Sequence, residues 1–182
     1  MTLVAIAAGI ALAAATGFRV FLPLLVAGLA ARWGHLPLAH GFEWLSSTNV
    51  LLALGTASVA EVAAYYIPLV DHALDVVSGP AAIAAGIIAS ASVMVDVPAG
   101  IMWPTAIVGG GGIAALTKAT SALLRAKLGL MTAGVANPVV ATGETATAVA
   151  TAAGAVIVPV ICLLILGVVA IWIGRRRYAR AG

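Results

Sequence analysis

The chain has 182 residues, of which 63% are hydrophobic and 8% are charged, and its mean hydropathy is +1.18. These values lie far outside the usual range of soluble domains and predict an integral membrane protein. The formal net charge of +3 comes from a basic C-terminal end, which is typical of the cytoplasmic side of a last span rather than of a nucleic-acid site: Arg175, Arg176, Arg177 and Arg180.

Long apolar runs predict spanning α-helices. The runs are continuous and rich in Ala, Leu, Val and Gly, whereas spanning strands would alternate in hydrophobicity. About 20 such residues suffice to cross the hydrocarbon. The single cysteine, Cys162, lies in one of these runs, which excludes an intramolecular disulfide and argues against a thiol-based metal site.

The first apolar segment predicts a helix from Thr2 to about Ala31. We expect an interruption near Gly17 and Pro23, because proline removes a backbone donor and kinks a helix interior. A secretory signal peptide is the alternative, but no basic residue precedes the apolar run.

Trp33 and Trp44 bracket a polar connection, as expected of aromatic side chains at a membrane interface. Three further helices are predicted after Trp33: Asn49–Ile67, Pro80–Val95 and Pro104–Leu124. The run Gly109–Gly112 lies inside the last of these, where missing side chains permit close backbone approach or local unwinding.

The C-terminal part is ambiguous. Asn137 followed by Pro138 predicts a helix start, and a helix from there to Gly174 would be about 55 Å long, which is more than one straight span uses. Pro159 is expected to bend it. The segment 128–143 is expected to dip into or cross the membrane as broken structure, which requires protein or water to satisfy its backbone.

The positive-inside tendency favours counting that segment as a crossing. Six crossings place Arg125, Lys127 and the terminal arginines in the cytoplasm and leave only Arg32 outside, whereas five crossings do not. The sequence therefore predicts an all-α, polytopic transmembrane bundle of five to six crossings with kinked or broken helices.

One transmembrane domain, 1–174, followed by a basic cytoplasmic tail, 175–182, is the predicted organisation. Six crossings would also allow two inverted halves, 1–78 and 79–174, of the kind that many secondary transporters build around broken helices. The spacings of the charged residues differ between the halves and no register aligns them, so chance is a good explanation.

Polar residues at helical spacing follow one another near the end of the second predicted helix: Glu61, Tyr65, His72 and Asp75. They share one face if the helix continues through Pro68, and Asp71 lies off that stripe. A cluster of carboxylates and imidazole can bind a divalent cation or relay protons. The alternative is that Asp71, His72 and Asp75 belong to a solvated loop.

Glu144 is the clearest pointer to function, because it interrupts a long apolar stretch. A carboxylate at bilayer depth costs about 3 kcal/mol or more, so it persists mainly where it faces a bundle interior or a watery cavity. With Asn137 it belongs to the densest polar patch of the chain, and a capped interfacial helix end is the alternative. Arg19 would either pair with Glu61 or Glu144 or snorkel to the interface.

Three segments carry a family resemblance: GFRVFLPLL at 17–25, IPLVDHALD at 67–75 and NPVVATGE at 137–144. With them the chain resembles an uncharacterised family of small bacterial multi-span membrane proteins that carries a domain of unknown function. The resemblance spans most of residues 3–165 and implies an inner-membrane location but no substrate. It also implies characteristic positions: Arg19, Pro23, Glu61, Pro68, Asp71, Asp75, Asn137, Pro138 and Glu144.

The leading hypothesis is a small transporter or channel-like protein with a buried polar site for an ion, a proton or a small polar solute. Its candidate residues are Arg19, Glu61, Asp71, His72, Asp75, Asn137 and Glu144, and whether a metal binds among them is open. The alternative is a non-transporting membrane scaffold or assembly factor, whose buried charges only fix helix pairing.

An enzyme is not expected, because no nucleophile with an adjacent base and no phosphate-binding loop is evident. We expect no cofactor and no nucleic acid. The expected partners are the lipid bilayer and, for so small a protein, further copies of the chain in a homo-oligomer.

Overall fold

The computed structural model describes the backbone of residues 2–132, 135, 137–159, 161, 164, 165, 168 and 171, and the side chains at 2, 68, 69, 71–73, 75 and 76 lie outside that description. Over these residues the chain is all-α, as predicted, and contains no strand. Its helices follow in the order α1 (Thr2–Thr16), α2 (Leu22–Arg32), a 3₁₀ turn (Glu43–Ser46), α3 (Thr48–Ala64), α4 (Pro68–Ser92), α5 (Ala99–Pro104), a π-helix (Thr105–Gly111), α6 (Gly112–Thr132) and α7 (Asn137–Ile157).

The predicted interruption of the first helix is confirmed. Helix α1 ends at Thr16 and α2 begins at Leu22, so Gly17–Phe21 form a non-helical break. Pro23 lies in the first turn of α2, where its missing N–H costs no helical hydrogen bond. The proline therefore starts a helix instead of kinking one.

The ends of α3 and α4 differ from the prediction. The chain leaves helical geometry at Ile67 (φ −104°, ψ 108°), because a residue before proline disfavours the α region. Helix α4 then begins at Pro68, and Pro80, the predicted start, lies inside it. The polar stripe predicted to run through Pro68 is therefore interrupted, and the predicted division of the chain near Gly79 falls within α4.

Helix α5, the π-helix and α6 form one helix of 34 residues, Ala99–Thr132, which is longer at both ends than predicted. The weakness expected from its glycine run takes the form of the π-helix. A Cβ added at Gly129 of α6 would lie 3.4 Å from Asn137 Oδ1 at the start of α7, so the two helices form an antiparallel hairpin.

The segment 128–143 is divided among the end of α6, the connection and the start of α7, and is not a broken element of its own. The predicted helix start at Asn137 is confirmed. Helix α7 ends at Ile157, two residues before Pro159. Most of the predicted continuation to Gly174, and the tail 175–182, lie outside the described residues.

Helix α1 packs against α4, α6 and α7 around a core rich in alanine, with Ala11, Leu12 and Ala15 completely buried. Small residues let these helices approach closely. A Cβ added at Gly9 would lie 2.7 Å from the carbonyl oxygen of Ser90.

The outer surface is apolar. Two helices, Ala99–Thr132 and Asn137–Ile157, are long and apolar enough to span a membrane. Large apolar side chains are exposed on most helices of the described chain, among them Leu52, Val59, Val77, Leu116, Leu123, Leu130 and Val139.

The connection between α2 and α3 marks one end of the bundle. Trp33 and Trp44 are exposed there, and the ring of Trp103 lies 6.3 Å from that of Phe42, which brings a third tryptophan to the same end. Glu43 is exposed in this connection, and hydrogen bonds from its own backbone amide, the Gly41 amide and the His40 ring lower the pKa of its carboxyl.

Candidate functional site

Arg19 lies in the break between α1 and α2 and is completely buried. Its Nε donates to Thr145 Oγ1 (3.0 Å) and its Nη2 to the carbonyl oxygen of Ala141 (2.8 Å), both on α7. Its Nη1 lies 3.4 Å from Glu144 Oε2. The structure therefore forms the pairing with Glu144, and a snorkelling Arg19 is wrong.

Glu144 is buried on α7 and connects three segments of the bundle. Besides Arg19, it accepts hydrogen bonds from Ser121 Oγ and from Arg125 Nη2, both on α6. Helix α7 begins at Asn137, seven residues earlier, so Glu144 is two turns inside the helix. It joins α6, α7 and the break, and the alternative of a helix-end cap does not describe it.

Glu61 lies on the neighbouring helix α3 and accepts hydrogen bonds from the backbone at the start of α2. Its Oε1 accepts the N–H of Val20 (2.8 Å) and its Oε2 the N–H of Phe21 (3.2 Å). Backbone amides at a helix start have no partner within their own helix, and the helix dipole favours a negative charge there. The carboxylate is buried, so these bonds also offset its loss of water.

Tyr65 is the point at which the cationic side chains meet. The guanidinium carbons of Arg19 and Arg125 each lie 4.2 Å from its ring centroid, and Lys118 Nζ lies 5.5 Å from it. Lys118 Nζ also donates to the Tyr65 hydroxyl (3.0 Å), which lies 3.4 Å from Ser78 Oγ. Attraction between a cation and an aromatic face is strongest when both are shielded from water, as they are here.

We expect Tyr65→Phe to lower the free energy of unfolding by about 1–3 kcal/mol, because the ring stays while the buried Lys118 ammonium loses an acceptor. Tyr66→Phe is the matched control, since its hydroxyl bonds Thr142 Oγ1 (2.7 Å) in an exposed position. Thermal unfolding of both variants measures the difference. Equal melting temperatures for the two variants would contradict a central role for the Tyr65 hydroxyl.

The cluster formed by Arg19, Glu61, Tyr65, Lys118, Ser121, Arg125 and Glu144, called the charged cluster below, lies deep in the bundle. Glu61 is thirteen residues from the start of α3 at Thr48, which corresponds to about 20 Å along the helix. Lys118 is fifteen residues beyond Trp103, which corresponds to a similar distance. The cluster is therefore about 20 Å from the tryptophan end.

Three candidate residues lie near the start of α4. Asp71 and Asp75 precede Ser78 by seven and three residues, so the register of α4 places them on the helix face that carries buried Ser78 and Ala82. The side chains of Asp71, His72 and Asp75 lie outside the described residues.

Asn137 is the first residue of α7 and lies beside Gly129, separate from the contacts described for Glu144. The structure thus joins Arg19, Glu61 and Glu144 but not Asn137. Among the described residues, no group of three or more His, Cys, Asp or Glu side chains could hold a metal ion.

Sequence reasoning missed the contribution of α6 to the cluster. The sequence predicts Arg125 only as a marker of topology, and Lys118 and Ser121 are not among its candidate residues, yet all three are buried. Their spacing of three and four residues was a usable signal, because it places all three on one face of a helix.

A groove of about 250 Å³ runs between α4 and α6 and reaches the edge of the cluster. Its walls are mostly small residues, and one cluster member, Lys118, lies in its lining: Gly79, Ile83, Ala115, Lys118, Ala119 and Ala122. The groove therefore connects the outer surface of the bundle with a cationic side chain of the cluster.

These features define an α-helical bundle with an apolar exterior and a buried charged cluster built on a broken helix. Residues 6–177 match the family model for DUF4126, a domain of unknown function. The chain belongs to that family. Neither a curated protein nor a solved structure matches the chain.

Proposed function

We propose that the chain is a small integral membrane protein of the transporter or channel type, in which the charged cluster binds an ion, a proton or a small polar solute. The observation that carries this proposal is a set of buried charges inside a bundle whose outside is apolar. Ionisable groups at membrane depth are costly, and they usually mark a substrate or ion pathway.

The depth of the cluster supports the same conclusion. The tryptophan end has the composition of a membrane interface. A position about 20 Å from that end lies inside a hydrocarbon core of about 30 Å. Broken helices near the midplane are the usual place for substrate sites in secondary transporters, and the break at Gly17–Phe21 is of that kind.

We further propose a bacterial inner-membrane location with the basic tail in the cytoplasm and five to six crossings. The C-terminal arginines support the orientation. Protease digestion of the tail in inside-out and right-side-out vesicles tests it. Cleavage only in right-side-out vesicles would reverse the orientation.

One observation favours the alternative of a non-transporting scaffold. Both oxygens of Glu61 bond backbone amides of the break, so this carboxylate already has a structural task. In a scaffold the other charges would likewise only fix helix pairing, and further copies of the chain would occupy the apolar surface. Stability that depends on oligomer formation, with no effect of any solute, supports this alternative.

The test is thermal unfolding of the purified protein across pH and a panel of ions and small metabolites, followed by flux measurements in liposomes for each compound that binds. A ligand at a hundred times its Kd stabilises the folded state by about 2.7 kcal/mol. We expect Glu144→Gln to lose this stabilisation and Glu43→Gln, which changes an exposed carboxylate, to keep it. Each variant is compared with its own ligand-free baseline.

The flux measurement decides between the two functions. Flux of a binding compound that falls in Glu144→Gln and persists in Glu43→Gln supports the transporter. Unchanged flux of every compound in Glu144→Gln, or the absence of any ligand shift and any flux in the unmodified protein, rejects it in favour of the scaffold.

A further inference from the structure

The π-helix Thr105–Gly111 sets the rotational position of α6. A π-helix closes its hydrogen bonds over one more residue than an α-helix does. Every residue after it is therefore displaced by one position, about 100° around the axis and about 1.5 Å along it, relative to a continuous α-helix. The face that α6 presents to the cluster depends on this displacement.

The composition and surroundings of the π-helix permit a change of its backbone conformation. Four successive glycines, Gly109–Gly112, lower the barrier, because glycine adopts backbone angles that other residues avoid. Ser90 of α4 lies beside them: a Cβ added at Gly110 would be 2.6 Å from Ser90 Cβ. The Ser90 hydroxyl is buried and makes no hydrogen bond, so it can donate to a carbonyl that the rearrangement exposes.

We propose that the π-helix converts to α-helix and thereby rotates α6 by one residue, which switches the charged cluster between two states. If α5 stays in place, each residue of α6 moves to the position now held by the residue after it. Lys118 then takes the place of Ala119, and Ser121 takes that of Ala122. Both new places line the groove between α4 and α6.

The rotation would change which residues of α6 belong to the cluster. Lys118, Ser121 and Arg125 are buried now, and the residues that precede them would take their places: Thr117, Thr120 and Leu124. Charged side chains would thus leave the cluster, and Lys118, which already borders the groove, would move to the other lining place now held by Ala119. This regulates access to the site of the proposed function, on which the inference rests.

Glu144 controls the balance between the two states. In the present register it holds Arg125 and Ser121, and the rotation separates both from it. A buried carboxylate opposes the loss of a cationic partner, so its charge favours the present register. A bound cation that neutralises Glu144 would therefore favour the rotated state.

Cross-linking of cysteine pairs across the groove with a short bis-maleimide reagent, which spans the open space beside Gly79, measures the register directly. In a Cys162→Ser background, Gly79→Cys with Ala122→Cys should cross-link in the present register. Gly79→Cys with Ser121→Cys should cross-link only after rotation, and nothing lies within 4 Å of a Cβ at Gly79, so this position accepts the probe. We expect Glu144→Gln to raise the cross-linking yield of the 79/121 pair relative to that of the 79/122 pair by roughly tenfold. This factor corresponds to a shift of about 1.4 kcal/mol in the equilibrium between the two registers.

A deletion separates the proposal from a general loosening of the fold. Removing Gly112 shortens the segment by one residue, so an α-helix there leaves α6 in its present register. We expect this variant to fold, to keep the Ala122 cross-link and to lose the Ser121 cross-link even with Glu144→Gln. The control is removal of Ala84, an exposed residue of α4. Helix α4 contains no π-helix that could absorb the loss of one residue, so this deletion should prevent folding.

The readouts need no transported substrate, so they are independent of the proposed function. A Ser121 yield that does not respond to Glu144→Gln, or that survives removal of Gly112, overturns the rotation. Loss of folding on removal of Gly112 also overturns it. A confirmed rotation without flux of any compound would reject the transporter and leave the switch in place.

Discussion

Glu144→Gln is expected to lower the free energy of unfolding by about 3–5 kcal/mol, the usual cost of breaking a buried ion pair on one side. The carboxylate accepts bonds from Ser121 and Arg125 and lies 3.4 Å from Arg19 Nη1. Both arginines are almost completely buried, so they would lose their anionic partner without gaining water. Thermal unfolding in detergent measures the change.

Glu43→Gln is the matched control for this substitution. Glu43 lies on the exposed connection, and its partner, the His40 ring, is also exposed. Exposed ion pairs contribute little to stability, so this variant should unfold close to the unmodified protein. Similar melting temperatures for the two variants would mean that Glu144 is not the buried junction of three segments.

The break near Gly17 could be predicted from local sequence. Glycine and proline act on the backbone of their own neighbourhood, and the helix starts at Pro68 and Asn137 follow from the same kind of signal. The start predicted at Pro80 was wrong, because the helix had already begun twelve residues earlier and the bundle holds it together despite the missing N–H.

The partners of the charged residues could be predicted only in part. That Arg19 would seek a carboxylate follows from the cost of an unpaired charge in hydrocarbon. That Glu61 bonds backbone amides instead of a side chain follows from where α3 passes α2, which no local pattern reports. The same is true of Tyr65, whose place among three cations depends on the turn before Pro68.

The register of α6 shows most clearly what the sequence alone cannot predict. The glycine run predicted a weak helix, but whether it becomes an unwound loop, an α-helix or a π-helix depends on the helices packed against it. In the register that the π-helix sets, Lys118, Ser121 and Arg125 are all buried. The π-helix shifts α6 by one residue. Tertiary packing favours that shift, and it thereby decides whether α6 contributes its charges to the cluster.

The break between α1 and α2 lies so close to α6 that a substitution of Gly17 should have the second large effect on stability. Gly17→Ala should destabilise the protein by about 1–3 kcal/mol or more, because overpacking displaces backbone as well as side chains. The added Cβ would lie 2.5 Å from Thr117 Cβ, 2.7 Å from the carbonyl oxygen of Ala114 and 2.9 Å from the amide nitrogen of Lys118. Two of these three atoms belong to the backbone of α6, so they cannot yield by a change of rotamer.

Gly55→Ala provides the comparison, since Gly55 lies inside α3 and an added Cβ meets nothing within 4 Å. Alanine should stabilise that helix by about 0.5–1 kcal/mol. The two variants should therefore shift the melting temperature in opposite directions. A shift of the same sign for both would mean that the break does not press against α6, and the contact that brings Arg19 beside Lys118 and Arg125 would then need another explanation.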